Sequence, residues 1–178
     1  SYPVTQGALL KADMDTFESE LKALQKRGVK YILFVDDTFN VPKKRFRDAL
    51  TILKKYEFRW YAFIRCQYLD EQVVSDMEKS GCGGVYLGIE SSNKDILKAM
   101  HKEATPDDYR RGVALMKKYN ILTYASFIVG FPGETENTIQ DTKNFIETSG
   151  IDFYNVKTFY YEHSTPISRS AEELGLTG

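Results

Sequence analysis

Five short apolar runs each end in residues able to do chemistry. Asp36-Asp37-Thr38-Phe39 follows the run Tyr31 to Val35. Arg65 ends the run Trp60 to Ile64, and Gly88-Ile89-Glu90-Ser91-Ser92 closes Val85 to Ile89. Gly130-Phe131-Pro132-Gly133-Glu134-Thr135 follows Leu122 to Val129, and Tyr160-Tyr161-Glu162-His163 ends Phe153 to Tyr160. Carboxylates at 36, 37 and 90 suit an ammonium group, while Arg65 and Lys102 suit a carboxylate, so neighbouring tips of this kind can hold a zwitterion of the amino-acid type. Gly130 and Gly133 allow close backbone approach, and Phe131 with Pro132 offers a flat apolar surface on which a purine can lie, its edge bonded to nearby backbone.

Each feature also has a plain structural reading. Asp36-Asp37 can cap the turn toward Pro42, Arg65 can be a surface strand end, and Glu90-Ser91 can cap a short helix. The Gly130 to Gly133 stretch can be a tight turn after which Glu134 begins the next helix. Independent caps would not need to fall at the ends of successive strands, and this joint placement favours a binding rim. His101 and His163 lie near it but carry little weight, and Lys43, Lys44, Arg45 and Arg47 read as the solvated face of one helix.

The elements that must position these residues alternate. The apolar runs are strand-sized, rich in aromatic and β-branched residues, and read as strands of a parallel sheet covered on both faces. Helical periodicity fills the gaps. Asp13 to Arg27 carries Met14, Phe17, Leu21 and Leu24 on one stripe, with Asp15 and Glu18 as a capping-box variant and a stop at Gly28. Pro42 to Tyr56, Asp70 to Ser80, a Thr105-capped segment to Tyr119 with Asn120 as a left-handed stop, and Thr135 to Ser149 ending at Gly150 complete the set. An extra helical piece, Asn93 to Met100, precedes His101-Lys102-Glu103.

Strand starts at 31, 60, 85, 122 and 153 recur at the length of a βα unit, and the connections are right-handed by the usual rule. The expected fold is α/β. A closed eight-stranded barrel needs about 250 residues, and a helix precedes the first strand, so the pattern predicts a partial, open barrel with helices outside and its first strand missing. A doubly wound sheet is the structural alternative.

At 178 residues, with 42% hydrophobic and 28% charged residues, the chain has the composition of one globular domain spanning 1–178. Lys plus Arg total 24 against 25 acidic residues, a net charge of -1, which offers no basic field for nucleic acid or an anionic membrane. No apolar stretch has the length of a membrane span, and a cytoplasmic location is expected. Only Cys66 and Cys82 occur, which excludes a site of three or four cysteines from this chain. Cys66 follows strand two, Cys82 is expected before strand three at the opposite end of the sheet, and a disulfide needs α-carbons within about 7 Å. Two reduced thiols are expected.

Taken together, Phe34-Val35-Asp36-Asp37-Thr38-Phe39, Trp60 to Arg65, Gly88-Ile89-Glu90-Ser91, Met100-His101-Lys102 and Phe127 to Thr135 resemble the radical S-adenosylmethionine (radical SAM) superfamily, most closely its cobalamin-binding group. The similarity runs from Ser1 to about Ile167 in the family's order and spacing. It implies a (β/α)6 partial barrel with S-adenosylmethionine across the strand ends beside a 4Fe-4S cluster. By that resemblance Asp36, Asp37 and Thr38 lie next to the methionine amino group, Glu90 and Ser91 lie on the ribose side, Arg65 and Lys102 meet the methionine carboxylate, and Val129, Gly130, Phe131 and Pro132 form the adenine side. The family's CxxxCxxC loop, which ligates the cluster, is absent from this sequence. Ser1-Tyr2-Pro3-Val4 looks like the residues directly after its third cysteine, so the chain is expected to be a fragment cut just downstream of that loop.

The activity implied for the intact parent is reductive cleavage of S-adenosylmethionine to a 5'-deoxyadenosyl radical, with cobalamin carrying a methyl group to a small-molecule substrate and a reductant protein as partner. The fragment itself is expected to be inactive, or a non-catalytic core that binds S-adenosylmethionine weakly or not at all. A competing enzyme reading is a barrel aldolase in which Lys157, on the last strand, forms a Schiff base from a desolvated interior.

Overall fold

Asp13 starts the first helix by accepting the Thr16 N–H at 2.7 Å, two residues ahead of the capping box expected from Asp15. The computed structural model describes residues 13–160. In chain order they form α1 (Met14–Lys26), β1 (Tyr31–Phe34), α2 (Lys43–Leu53), β2 (Arg59–Phe63), a 3-10 turn (Cys66–Tyr68), α3 (Glu71–Lys79), β3 (Cys82–Glu90), α4 (Lys94–Ala99), α5 (Pro106–Lys118), β4 (Leu122–Val129), α6 (Glu136–Ser149) and β5 (Phe153–Thr158).

The helix boundaries follow local chemistry. Thr105 and Asp108 exchange capping bonds at the start of α5, Thr135 and Thr138 do so at α6, and Asp70 caps α3 through the Val73 N–H. Left-handed residues end the helices: Gly28 beyond α1, Asn120 beyond α5 and Gly150 after α6.

All neighbouring strands pair in parallel, in the order β1-β2-β3-β4-β5. Strand order that follows chain order, with crossovers of the right-handed kind that parallel strands favour, puts the crossover helices on one face of the sheet. This is the singly wound arrangement of a partial barrel; a doubly wound sheet would reverse its order at a switch point. The core lies between sheet and helices. Trp60, Ala62, Val85, Leu87, Ile89, Ala125 and Phe127 point outward into a layer that includes Leu50, Leu53, Met77, Val113, Met116 and Phe145, all buried. The Trp60 indole N–H donates to the Ser80 carbonyl at 2.9 Å, so its one polar atom is satisfied inside that layer.

The expectation of strands covered on both faces is corrected by the other side of the sheet. Tyr31 and Leu33 of β1, Phe63 of β2 and Phe153 of β5 face the barrel interior and are exposed among the described residues. The runs are apolar on both sides because the concave face of an open barrel is itself aromatic, with Phe63 and Tyr86 stacked at 5.0 Å and Tyr86 and Tyr124 at 5.4 Å. A second correction concerns β3, which starts at Cys82 and not at Val85. Gly83 and Gly84, expected with Cys82 to precede the strand, are strand residues over which Tyr61 lies: a Cβ on Gly83 would come within 2.9 Å of the Tyr61 hydroxyl.

Candidate functional site

The carboxyl ends of the strands open into a cleft of about 680 Å³ that reaches down to the aromatic concave face. Asp37, Thr38, Arg65, Glu90 and Lys102 all line it, drawn from the ends of β1, β2 and β3 and from the loop after α4. The loop after β1 is fastened over β2 by the Phe39 N–H, which donates to the Phe63 carbonyl at 2.9 Å. Thr38 Oγ1 donates to the Asp37 carbonyl at 2.7 Å.

Arg65 is held through its backbone. Asn40, buried, accepts the Arg65 N–H and donates to the Arg65 carbonyl, each at 3.0 Å. The side chain of Arg65 is thereby presented from a fixed point.

Lys102 Nζ bonds Glu90 Oε1 and the Gly88 carbonyl, both at 3.1 Å, which ties the helical insertion to the tip of β3. Glu90 sits at φ 66, a left-handed conformation that costs a non-glycine residue energy, directly after an irregularity in the β3–β4 register. This bend turns its carboxylate into the cleft. Gly88 makes room for it, since a Cβ there would lie 2.9 Å from Glu90 Oε1.

The other expected site residues lie around this wall. Asp36 is exposed beside Asp37 but does not line the cleft. Ser91 is fully buried behind the rim, accepting the Asn93 N–H at 3.1 Å with its hydroxyl 3.4 Å from that of Thr142. Val129, Gly130, Phe131 and Pro132 form the adjoining β4 rim, where Phe131 packs edge-on to Phe159 at 4.9 Å. Glu134 does not begin the next helix, whose cap is Thr135. Its carboxylate folds back to accept the Gly130 N–H at 2.5 Å and the Phe131 N–H at 3.3 Å. Those two donors, expected to be available to an adenine edge, are therefore occupied within the loop.

Sequence reasoning missed Asn40, Tyr109 and the strand-interior pair Ser126 and Asn155, and it placed Gly88 at the rim without the room it leaves for Glu90. The parity of β4 and β5 was a usable signal for Ser126 and Asn155, because alternate residues on a strand share a face. Nothing local marks Asn40 or Tyr109. Tyr109 lines the cleft almost fully buried, and burial pushes its phenol well above the usual range, with Cys66 and Glu90 adding to the shift. Lys157 does line the cleft, but its side chain is exposed and not in the desolvated interior that the Schiff-base reading expects.

The chain's two cysteines do not fit an iron–sulfur cluster. Both are free and buried, Cys66 after β2 and Cys82 at the start of β3, and no group of three or more His, Cys, Asp or Glu able to hold a metal occurs among the described residues. Burial pushes the Cys66 thiol up to about 12, and the Cys82 thiol is raised for the same reason. No helix among the described residues is long and apolar enough to cross a membrane.

An open, singly wound parallel half-barrel with a charged cleft at its strand ends defines the class of protein. The sequence profile of the Radical SAM superfamily matches residues 5–146, and the chain belongs to that superfamily. It is 37% identical over 128 residues to an uncharacterized methyltransferase of Pyrococcus horikoshii, covering 71% of this chain and 28% of that protein. It is 33% identical over 146 residues to bacteriochlorophyllide d C-12(1)-methyltransferase of Chlorobaculum tepidum, covering 79% of this chain and 32% of that protein. The chain thus spans about a third of the length of these curated relatives. Among solved structures, the radical S-adenosylmethionine methyltransferase TsrM of Kitasatospora setae, with cobalamin and a [4Fe-4S] cluster bound, superposes with a TM-score of 0.79 at 19% identity over 92% of this chain and 34% of that chain. That likeness establishes the shared fold.

Proposed function

We propose that this chain is the S-adenosylmethionine-binding core of a radical SAM methyltransferase. One observation carries the reading: within a chain of this superfamily, acidic Asp37 and Glu90 and basic Arg65 and Lys102 converge on one strand-end cleft. The methionine ammonium lies against Asp37 and Glu90, with Asp36 and Thr38 flanking. The carboxylate lies against Arg65 and Lys102 as charge-assisted hydrogen bonds. The ribose lies toward Glu90 and the buried Ser91, and adenine lies on the rim from Val129 to Pro132, against the Phe131 ring.

In the whole protein a 4Fe-4S cluster would supply the electron for reductive cleavage of S-adenosylmethionine and cobalamin would carry the methyl group, with Asp37, Arg65, Glu90 and Lys102 holding the adenosyl amino acid in place; the methyltransferase relatives support this. The electron source lies outside these residues, as does the ligand set for a cluster, and the 178-residue chain alone is therefore inactive. The contribution of its own residues is to fix the two ends of the adenosyl amino acid and to keep water from the reacting atoms with the aromatic floor.

The test is anaerobic reconstitution with iron and sulfide, followed by S-adenosylmethionine and dithionite. The full-length parent is expected to release 5'-deoxyadenosine, and this chain none. Release by this chain, or none by a cluster-loaded parent, would overturn the reading.

A further inference from the structure

A second set of groups on the cleft wall is not used by the adenosyl reading. Parallel strands in register place paired residues side by side on one face. Phe63 pairs with Tyr86, Tyr86 with Tyr124 and Tyr124 with Phe153, which makes an aromatic row across the concave face of four strands. One step toward the carboxyl ends come Gly88, Ser126 and Asn155, and one step further Ile128 beside Lys157.

Two features of this wall call for a partner. The Asn155 carboxamide oxygen is buried and has no hydrogen-bond partner among the described residues, a state that native proteins rarely leave uncompensated. Lys157 makes no ion pair among the described residues, whereas Lys102, the other lysine of the cleft, is bound to Glu90. A zwitterion at the rim engages Arg65 and Lys102 and leaves the Lys157 ammonium over.

We infer that the β4–β5 side of the cleft is a second ligand subsite for a planar aromatic carboxylate that carries an N–H or O–H donor close to its acid group. The ring lies over Tyr86 and Tyr124, the carboxylate meets Lys157, and the donor bonds the Asn155 oxygen. Asn155 and Lys157 are two residues apart on one strand face, about 6.5 Å between α-carbons, which matches a donor adjacent to the acid and not one across the ring. As the substrate side of the cleft, this inference rests on the proposed adenosyl site at the rim. It needs no covalent role for Lys157.

Calorimetric titration of the purified chain with indole-2-carboxylate and with uncharged indole-2-carboxamide, each with and without S-adenosylhomocysteine, tests the subsite. The carboxylate is expected to bind about tenfold more tightly than the amide, the effect of one charge-assisted contact. That preference is lost in Lys157→Met and kept in Lys157→Arg, while Asn155→Leu weakens both ligands with its circular dichroism spectrum unchanged. Equal affinity for the two ligands, or an undiminished preference in Lys157→Met, would overturn the inference, as would a folded Asn155→Leu that binds both like the parent chain. Titration with S-adenosylhomocysteine alone reports the rim separately. Its failure with the indole preference intact removes the adenosyl reading and leaves the subsite, and the converse removes only the subsite.

Discussion

Asn40 brackets the backbone of Arg65, accepting its N–H and donating to its carbonyl at 3.0 Å each, across 25 residues of chain. A buried carboxamide thereby fixes the base of the one arginine that lines the cleft among the described residues. Asn40→Ala leaves two Arg65 backbone groups without their partner and is expected to destabilise the fold by about 1–3 kcal/mol, read as a lower urea midpoint at unchanged slope. At urea-free conditions the folded variant also binds S-adenosylhomocysteine more weakly than the parent chain.

Gly88→Ala separates site from fold. The added methyl meets Glu90 Oε1 and comes within 3.6 Å of Lys102 Nζ, both at the ends of flexible side chains. Unfolding temperature is therefore expected to change by only a few degrees, whereas the Lys102–Glu90 pair shifts and affinity for S-adenosylhomocysteine falls about tenfold, the value of one charged contact. A large thermal loss with unchanged affinity would contradict this role for Gly88.

Glu90→Gly relieves the left-handed backbone at φ 66 while deleting the carboxylate. Backbone relief of about 1 kcal/mol offsets the loss of a partly exposed ion pair, so denaturant stability is expected to stay near that of the parent while ligand affinity drops. Glu90→Gln keeps the strain and loses only the charge, and comparing the two variants separates these contributions.

The thiols set an alkaline limit. Burial raises the Cys66 thiol to about 12, so the folded chain holds its proton in a range where the unfolded chain has released it. Because the folded state binds more protons there, stability falls as pH rises above the unfolded value of 9.0 and continues to fall toward 12. Urea midpoints measured from pH 8 to pH 11 are expected to decline, with a shallower slope in Cys66→Ala relative to its own value at pH 8. Iodoacetamide at pH 8 is expected to label both cysteines only after unfolding.

Much of this arrangement was legible in sequence for identifiable reasons. Capping at Thr105, Thr135 and Asp70 and the left-handed stops at Gly28, Asn120 and Gly150 are local chemistry, and local chemistry is written in adjacent residues. The charged tips of β1, β2 and β3 could be grouped because a parallel wound sheet brings strand ends together. What stayed hidden depends on contacts between distant residues. Asn40 acts on a backbone 25 residues away, and Gly83 is a strand residue because Tyr61 covers it. Glu134 reads as a helix start until its carboxylate is seen to close the loop at Gly130. The concave face misled for another reason: aromatics that stack across strands give the same apolar pattern as side chains buried beneath helices.

Chemical-shift mapping of the isotopically labelled chain with S-adenosylhomocysteine tests the placement of the adenosyl amino acid most directly. The account predicts perturbations concentrated at Asp37, Thr38, Arg65, Glu90, Lys102 and the Val129–Pro132 rim, and their loss in Arg65→Ala. Perturbations confined to the amino-terminal ends of the strands, or none in a natively folded chain, would contradict it.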